Sequence, residues 1–264
     1  MEKQTALLSE LEIGAIEFRS GDGKGVADYT IQEAEGLKKR LDAAGIRLSA
    51  VGSPIGKIGI EEEFSPHLKK LEHIIELSDV WETDLIRCFS FYLPEGADAA
   101  GYRDEVFRRT EQMVELAARH GKTLLHENEK GIYGDLAPRC LELMQRFYGD
   151  SYKAVFDFAN FVQCGQDTLE AWELLKDYVF YIHVKDARMG SGEVVPAGSG
   201  DGHVKEILTA LDERGFTGFL SLEPHLADFA GLQGLEKDAA RRGRTDTEQA
   251  FVTAWQALCD LLTR

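Results

Sequence analysis

Long apolar runs are missing from this chain. No stretch approaches the roughly 20 apolar residues that a membrane-spanning helix needs. The opening Met1-Glu2-Lys3-Gln4 lacks the basic start and apolar centre of a secretory leader, so a cytoplasmic protein is expected. Positive charge is scarce: 30 Lys and Arg stand against 46 Asp and Glu, a formal charge of −16. Binding to a phosphate backbone depends on clustered Lys and Arg, so nucleic acid is not expected as a partner, and neither is a membrane. A small anionic substrate is still admissible, because a local pocket can be positive on an acidic body. Cysteine is sparse too. Cys88, Cys140, Cys164 and Cys259 form no CxxC pair and read as buried or incidental thiols in a reducing compartment. Gly198-Ser199-Gly200-Asp201-Gly202 lacks the Lys-Ser/Thr of a Walker loop and the GxGxxG order of a dinucleotide site. No composition break marks a linker, and no repeat of 20 to 50 residues beyond a βα unit is visible.

What remains is an ordinary globular composition, 44% hydrophobic and 29% charged over 264 residues. One domain, 1–264, fits this length, which is close to the about 250 residues of an α/β barrel. Helical stripes alternate with short apolar runs. Ala34, Leu37, Leu41 and Ala44 recur at 3-to-4 spacing and Gly45 closes that helix; Val106, Thr110, Met113 and Ala117 form another stripe. Seven strands are expected, at about 13–19, 46–52, 84–90, 123–127, 153–157, 180–185 and 219–223. Alternation with right-handed crossovers leaves an open doubly wound sheet or a closed barrel. The barrel is favoured, because polar residues close many different strands rather than lining one crevice. A (β/α)8-type barrel wants eight strands, and this chain opens in a helix where a first strand should be. The longest unassigned stretch, Pro224 to Thr247 with Arg241, Arg242 and Arg244, reads as a lid or as an exposed charged connection.

Four apolar runs end in a residue able to bind a metal: Glu127, Asp157, His183 and Glu223. Their separations of 30, 26 and 40 residues are one βα unit per step, with an insertion in the last. In a barrel such side chains line one flank of the mouth at the carboxyl ends of the strands. Three carboxylates and an imidazole suit Mn²⁺ or Mg²⁺, with Co²⁺ and Zn²⁺ as alternatives. Any one strand-end carboxylate more often caps a helix or pairs with a lysine. All four in this order favour the metal.

The stretches His126-Glu127-Asn128-Glu129, Phe156-Asp157-Phe158-Ala159-Asn160, His183-Val184-Lys185-Asp186 and Ser221-Leu222-Glu223-Pro224 resemble the xylose-isomerase-like TIM barrels. They are most similar to the sugar phosphate isomerase/epimerase branch, from about residue 4 to the C-terminus. Gly52-Ser53-Pro54-Ile55-Gly56-Lys57, Arg87-Cys88-Phe89-Ser90-Phe91 and Pro196-Ala197-Gly198-Ser199-Gly200-Asp201-Gly202 carry the same resemblance. It implies one divalent metal on Glu127, Asp157, His183 and Glu223, with Glu127 and Glu223 as the catalytic acid/base residues. A metal clamping a carbonyl and an adjacent hydroxyl oxygen acidifies the C–H between them and stabilises an enediolate. A carboxylate on each face then removes the proton and returns it. The ligand would be a small carbohydrate; the oligomeric state is not written in the sequence, and a homodimer is one assembly open to the chain. Departures are local. The epimerases carry a His three residues after the ligand Asp, where this chain has Asn160. They carry an Arg six residues after the ligand His, where this chain has Met189, with Arg188 one place earlier. The family's usual first strand has no counterpart, since Gln4 matches the helix that follows it.

Substrate contacts are expected from Lys185, Asn160, Arg87, Arg188 and His225. Lys185 lies two residues beyond His183 and points the same way; its alternative is an ion pair with Asp157, Asp186 or a ligand carboxylate. Arg87 is set in an apolar strand, where an unpaired charge is costly. It reads equally as a substrate contact or as a salt bridge to Glu17 or Glu127. Arg19, Lys57, Glu129 and His203 are weaker candidates, and His126 should face the helices as a packing residue. Three functions compete with the isomerase: an inosose-type dehydratase, a non-catalytic sugar or metal sensor, and a DNA-repair nuclease. Seven histidines and the acidic balance weigh against the last.

Overall fold

The computed structural model of the chain describes residues 1–226 and 246–263, so Arg241, Arg242 and Arg244 lie outside the described residues. Seven strands occupy Ala15–Phe18, Arg47–Ile55, Leu85–Cys88, Thr123–Glu127, Tyr152–Asp157, Val179–Val184 and Phe219–Leu222. They join one sheet in strict chain order. Parallel register is seen from the first strand to the fourth and again between the sixth and seventh. A doubly wound sheet reverses its strand order at a switch point. No reversal occurs here, and chain order is the arrangement of an α/β barrel sheet. Among the described residues that sheet has seven strands, preceded by the helix Glu2–Glu10.

The chain divides into two compact units. The first comprises Met1–Glu127, Gly131–Gly134 and Glu142–Ala154, and the second Asn128–Lys130, Asp135–Leu141 and the residues from Val155 onward. In the first, Thr30 opens the helix Ile31–Ala43 with a capping box: its hydroxyl accepts from the Glu33 amide, and the Glu33 carboxylate accepts from the Thr30 amide. Ala34, Leu37 and Leu41 form the buried stripe of that helix, at the spacing a helical face requires. Phe18, Tyr29 and Trp81 pack edge to face, with centroids 5.5 to 6.0 Å apart. The Trp81 indole donates to the Ala34 carbonyl at 3.1 Å, so a large apolar group is buried with its polar tip satisfied.

The strand Arg47–Ile55 ends at Gly56, whose φ of +89° and position against Phe89 admit no side chain. A Cβ there would lie 2.0 Å from the Phe89 carbonyl oxygen. The Gly56 amide donates to His67 Nε2 at 2.7 Å. Burial pushes the His67 pKa down to about 4, so the ring is the neutral acceptor this contact needs.

In the second unit, Phe156 is wedged among Phe158, Phe161 and Trp172, with centroids 5.1 to 6.0 Å away. The helix Thr168–Leu175 is capped by Asp167, whose carboxylate accepts from the Glu170 amide. Val204, Ile207, Leu208 and Leu211 bury one face of the helix Val204–Glu213. From the helix Asp246–Leu262, Ala250 and Ala254 pack against Leu222 and Leu226 beside the last strand. A two-residue hairpin pairs Asp186–Ala187 with Val194–Val195. No helix among the described residues is long and apolar enough to cross a membrane.

Candidate metal centre

Asp157 closes its strand and caps the short helix Phe158–Gln163. Its Oδ1 accepts from the Asn160 amide at 2.8 Å, which leaves Oδ2 for other contacts. Asn128 fixes the backbone here: its side chain donates to the Asp157 carbonyl at 3.0 Å and accepts from the Asp157 amide at 2.9 Å. Asn160 completes the clamp, its Nδ2 donating to the Asn128 carbonyl at 2.9 Å.

His183 is fully buried in the strand Val179–Val184, opposite Ser221 in the parallel register. The Tyr181 ring lies edge-on to it at 5.7 Å and limits how the imidazole can rotate. Its Nδ1 is 3.9 Å from Asp157 Oδ2 and 3.6 Å from Glu223 Oε1. Glu223 follows the last strand, its amide donating to the Val184 carbonyl, and precedes Pro224, which favours extended backbone at this position. Lys185 is 6% exposed, with Nζ 2.9 Å from Asp157 Oδ2 and 3.1 Å from Glu223 Oε2.

Next in the chain, Asp186 accepts four backbone amides, from Ala187, Gly198, Gly200 and Gly202, at 2.8 to 2.9 Å. Desolvation raises its pKa, and these amides oppose that rise. The glycines are required by the close approach: a Cβ on Gly200 would lie 2.4 Å from the Ala187 carbonyl oxygen. The glycine-rich loop is therefore gathered around a carboxylate of its own chain.

In the first unit, Glu127 ends its strand at 2% exposure. Arg87 is likewise buried, with Nη1 3.3 Å from Glu17 Oε1 and 3.4 Å from Glu127 Oε2. Its other nitrogens face the carbonyls of Gly52 at 3.2 Å and Ser53 at 3.4 Å, and the guanidinium lies 5.2 Å from the centre of the Phe89 ring. Both ion-pair partners named for Arg87 are thus present together. His126, the neighbour of Glu127, is packed against Tyr152, and burial lowers its pKa to about 4.

One ligand atom from each of Glu127, Asp157, His183 and Glu223 lies within 4.8 Å of the other three. That spacing, with two oxygens and a nitrogen turned toward one another around Asp157, His183 and Glu223, fits a single small cation. The donor chemistry fits as well: three carboxylates and one imidazole are a mostly oxygen set that suits a divalent cation.

The remaining sequence candidates lie farther out or are otherwise engaged. Arg188 is more than half exposed and faces Glu193 at 3.7 Å. His225 is exposed, its amide donating to the Glu223 carbonyl. Lys57 lies over the Phe89 ring, Arg19 is exposed, and Glu129 Oε1 accepts from the Lys130 amide. His203 Nδ1 is 3.0 Å from the Thr168 hydroxyl. Asn128 and Asp186 acquire their roles only in the structure. Both act on backbone amides and carbonyls, which leave no residue spacing to read.

The Xylose isomerase-like TIM barrel family matches residues 5–259. A 3-dehydroshikimate dehydratase of Bacillus anthracis is 24% identical over 129 residues, 49% of this chain and 46% of that protein, so the match spans about half of the curated relative. The crystal structure of the IOLI protein with a binding zinc atom superposes with a TM-score of 0.76 at 14% identity, covering 100% of this chain and 93% of the other. The 3-keto-D-glucoside 4-epimerase of E. coli does so with a TM-score of 0.69 at 15% identity, covering 99% and 94%. With the strands in chain order and the match running nearly end to end, this chain belongs to the xylose isomerase-like TIM barrel family.

Proposed function

We propose that this protein is a divalent-metal-dependent isomerase or epimerase of a small sugar or sugar phosphate. One observation carries the reading: Glu127, Asp157, His183 and Glu223 converge to within 4.8 Å. Held by these four residues, Mn²⁺ or Mg²⁺, or Co²⁺ or Zn²⁺ in their place, would supply Lewis acidity to a sugar carbonyl and the neighbouring hydroxyl oxygen.

The chain's own groups move the proton. Glu127 and Glu223 are the acid/base pair: one carboxylate removes the proton from the carbon between those oxygens. The other returns it from the opposite face, which inverts that carbon. Arg87 holds Glu127 in position through its Nη1 contact. Lys185 is the substrate-facing cation, set against two of the ligands. Asn160, Arg188 and His225 are assigned to sugar hydroxyl or phosphate contacts around the mouth.

A second reading has the support of the dehydratase relative. There the same proton abstraction is followed by loss of the β-hydroxyl as water. One experiment separates the two: a panel of sugars and sugar phosphates incubated in D₂O with Mn²⁺, followed by NMR and mass spectrometry. We expect deuterium at a single carbon of one substrate with its elements otherwise conserved. Loss of 18 mass units (one water) would replace the isomerase by the dehydratase. Binding of metal and sugar with no exchange at any carbon would overturn both.

A further inference from the structure

We propose that Lys185 is a built-in counter-cation that competes with the divalent ion for Asp157 and Glu223, so that metal binds by displacing the ammonium group. The inference rests on the metal-centre reading and adds to it a limit on affinity set by one residue.

The geometry makes the two cations rivals for the same atoms. Asp157 Oδ1 already accepts the Asn160 amide, so Oδ2 is the oxygen on offer to a metal. That oxygen is the one 2.9 Å from Lys185 Nζ. The ammonium also lies 3.1 Å from Glu223 Oε2 and so bridges two of the four converging ligands. Its side chain is 5% exposed, and a desolvated ammonium persists only where carboxylates compensate it. The converse also holds. Asp157 and Glu223 are like charges when both are ionised, and the ammonium set between them offsets their repulsion in metal-free protein. A divalent ion brings twice the charge to the same oxygens, and the four-carbon lysine stem is flexible enough to carry its ammonium aside. The displaced group is then close at hand for a substrate oxygen.

The test uses chelator-stripped full-length protein as wild type, Lys185→Met and Lys185→Gln. Manganese binding is measured by calorimetry at one pH and ionic strength, and melting temperature is recorded with and without Mn²⁺. Both variants should bind Mn²⁺ at least tenfold more tightly than wild type. They should also melt lower when metal-free and show a larger Mn²⁺-induced rise. Equal or weaker binding in the variants, with wild type still binding, would overturn the competition and leave the metal centre standing. No Mn²⁺ binding in the wild type would overturn both. The two variants guard against one failing to fold, and because binding is read directly, no substrate is needed.

Discussion

Glu223→Gln and Glu127→Gln should each slow deuterium exchange into substrate by about 10²- to 10⁴-fold, the range ascribed to a positioned general acid or base. Glutamine keeps the shape and one carbonyl oxygen, but its amide neither accepts nor gives up a proton near neutral pH. At position 223 the amide oxygen can still meet Lys185 or His183, whose present distances to the carboxylate are 3.1 and 3.6 Å. At position 127 it can still accept from Arg87. The fold should therefore persist, and circular dichroism with the urea midpoint checks that it does. A loss confined to one variant would mean a single base rather than a pair. Full exchange in both would remove the acid/base assignment.

Arg87→Met should have the largest effect on stability. The substitution removes the cation from between Glu17 and Glu127, whose side chains are 7% and 3% exposed. Breaking a buried ion pair by deleting one partner costs about 3–5 kcal/mol, because the surviving charge is left uncompensated. For a protein of this size each kcal/mol shifts the melting temperature by about 2–4 °C, so a fall of about 6–20 °C is expected. Two further contacts are lost with the guanidinium, to the carbonyls of Gly52 and Ser53. Adding Glu17→Gln to Arg87→Met should recover part of the loss, since one of the two carboxylates that faced the arginine is then neutral. Thermal and urea denaturation of the single and double variants measure both. A single-variant cost below about 1 kcal/mol, the value of an exposed pair, would show that the arginine does not hold the carboxylates.

The sequence carried the sheet well, because parallel strands covered on both faces read as short apolar runs. All seven were placed, including the short Leu85–Cys88 and Phe219–Leu222. The two-residue hairpins at Ser20–Gly21 with Lys24–Gly25 and at Asp186–Ala187 with Val194–Val195 escaped, since two residues show no period. The four converging residues were legible because each closes an apolar run in a repeating βα pattern. Their support was not. Asn128 stands next to Glu127 and looks like part of the same motif, yet it clamps the backbone of Asp157. Asp186 looks like one more acid beside a histidine and a lysine. Its four amide partners, three from a loop more than ten residues ahead, could not be read from spacing. Arg87 was ambiguous for a physical reason: a buried cation in a strand needs a carboxylate, and both a substrate and a neighbouring strand can provide one.

The proposed centre is one cation gripped by Glu127, Asp157, His183 and Glu223. Anomalous diffraction at the manganese edge, from a crystal of the full chain grown with Mn²⁺, tests this most directly. The predicted result is a single strong peak within coordination distance of an oxygen from each carboxylate and of His183 Nδ1. A map with no peak there, or with the manganese held by other side chains while these four turn apart, would contradict it.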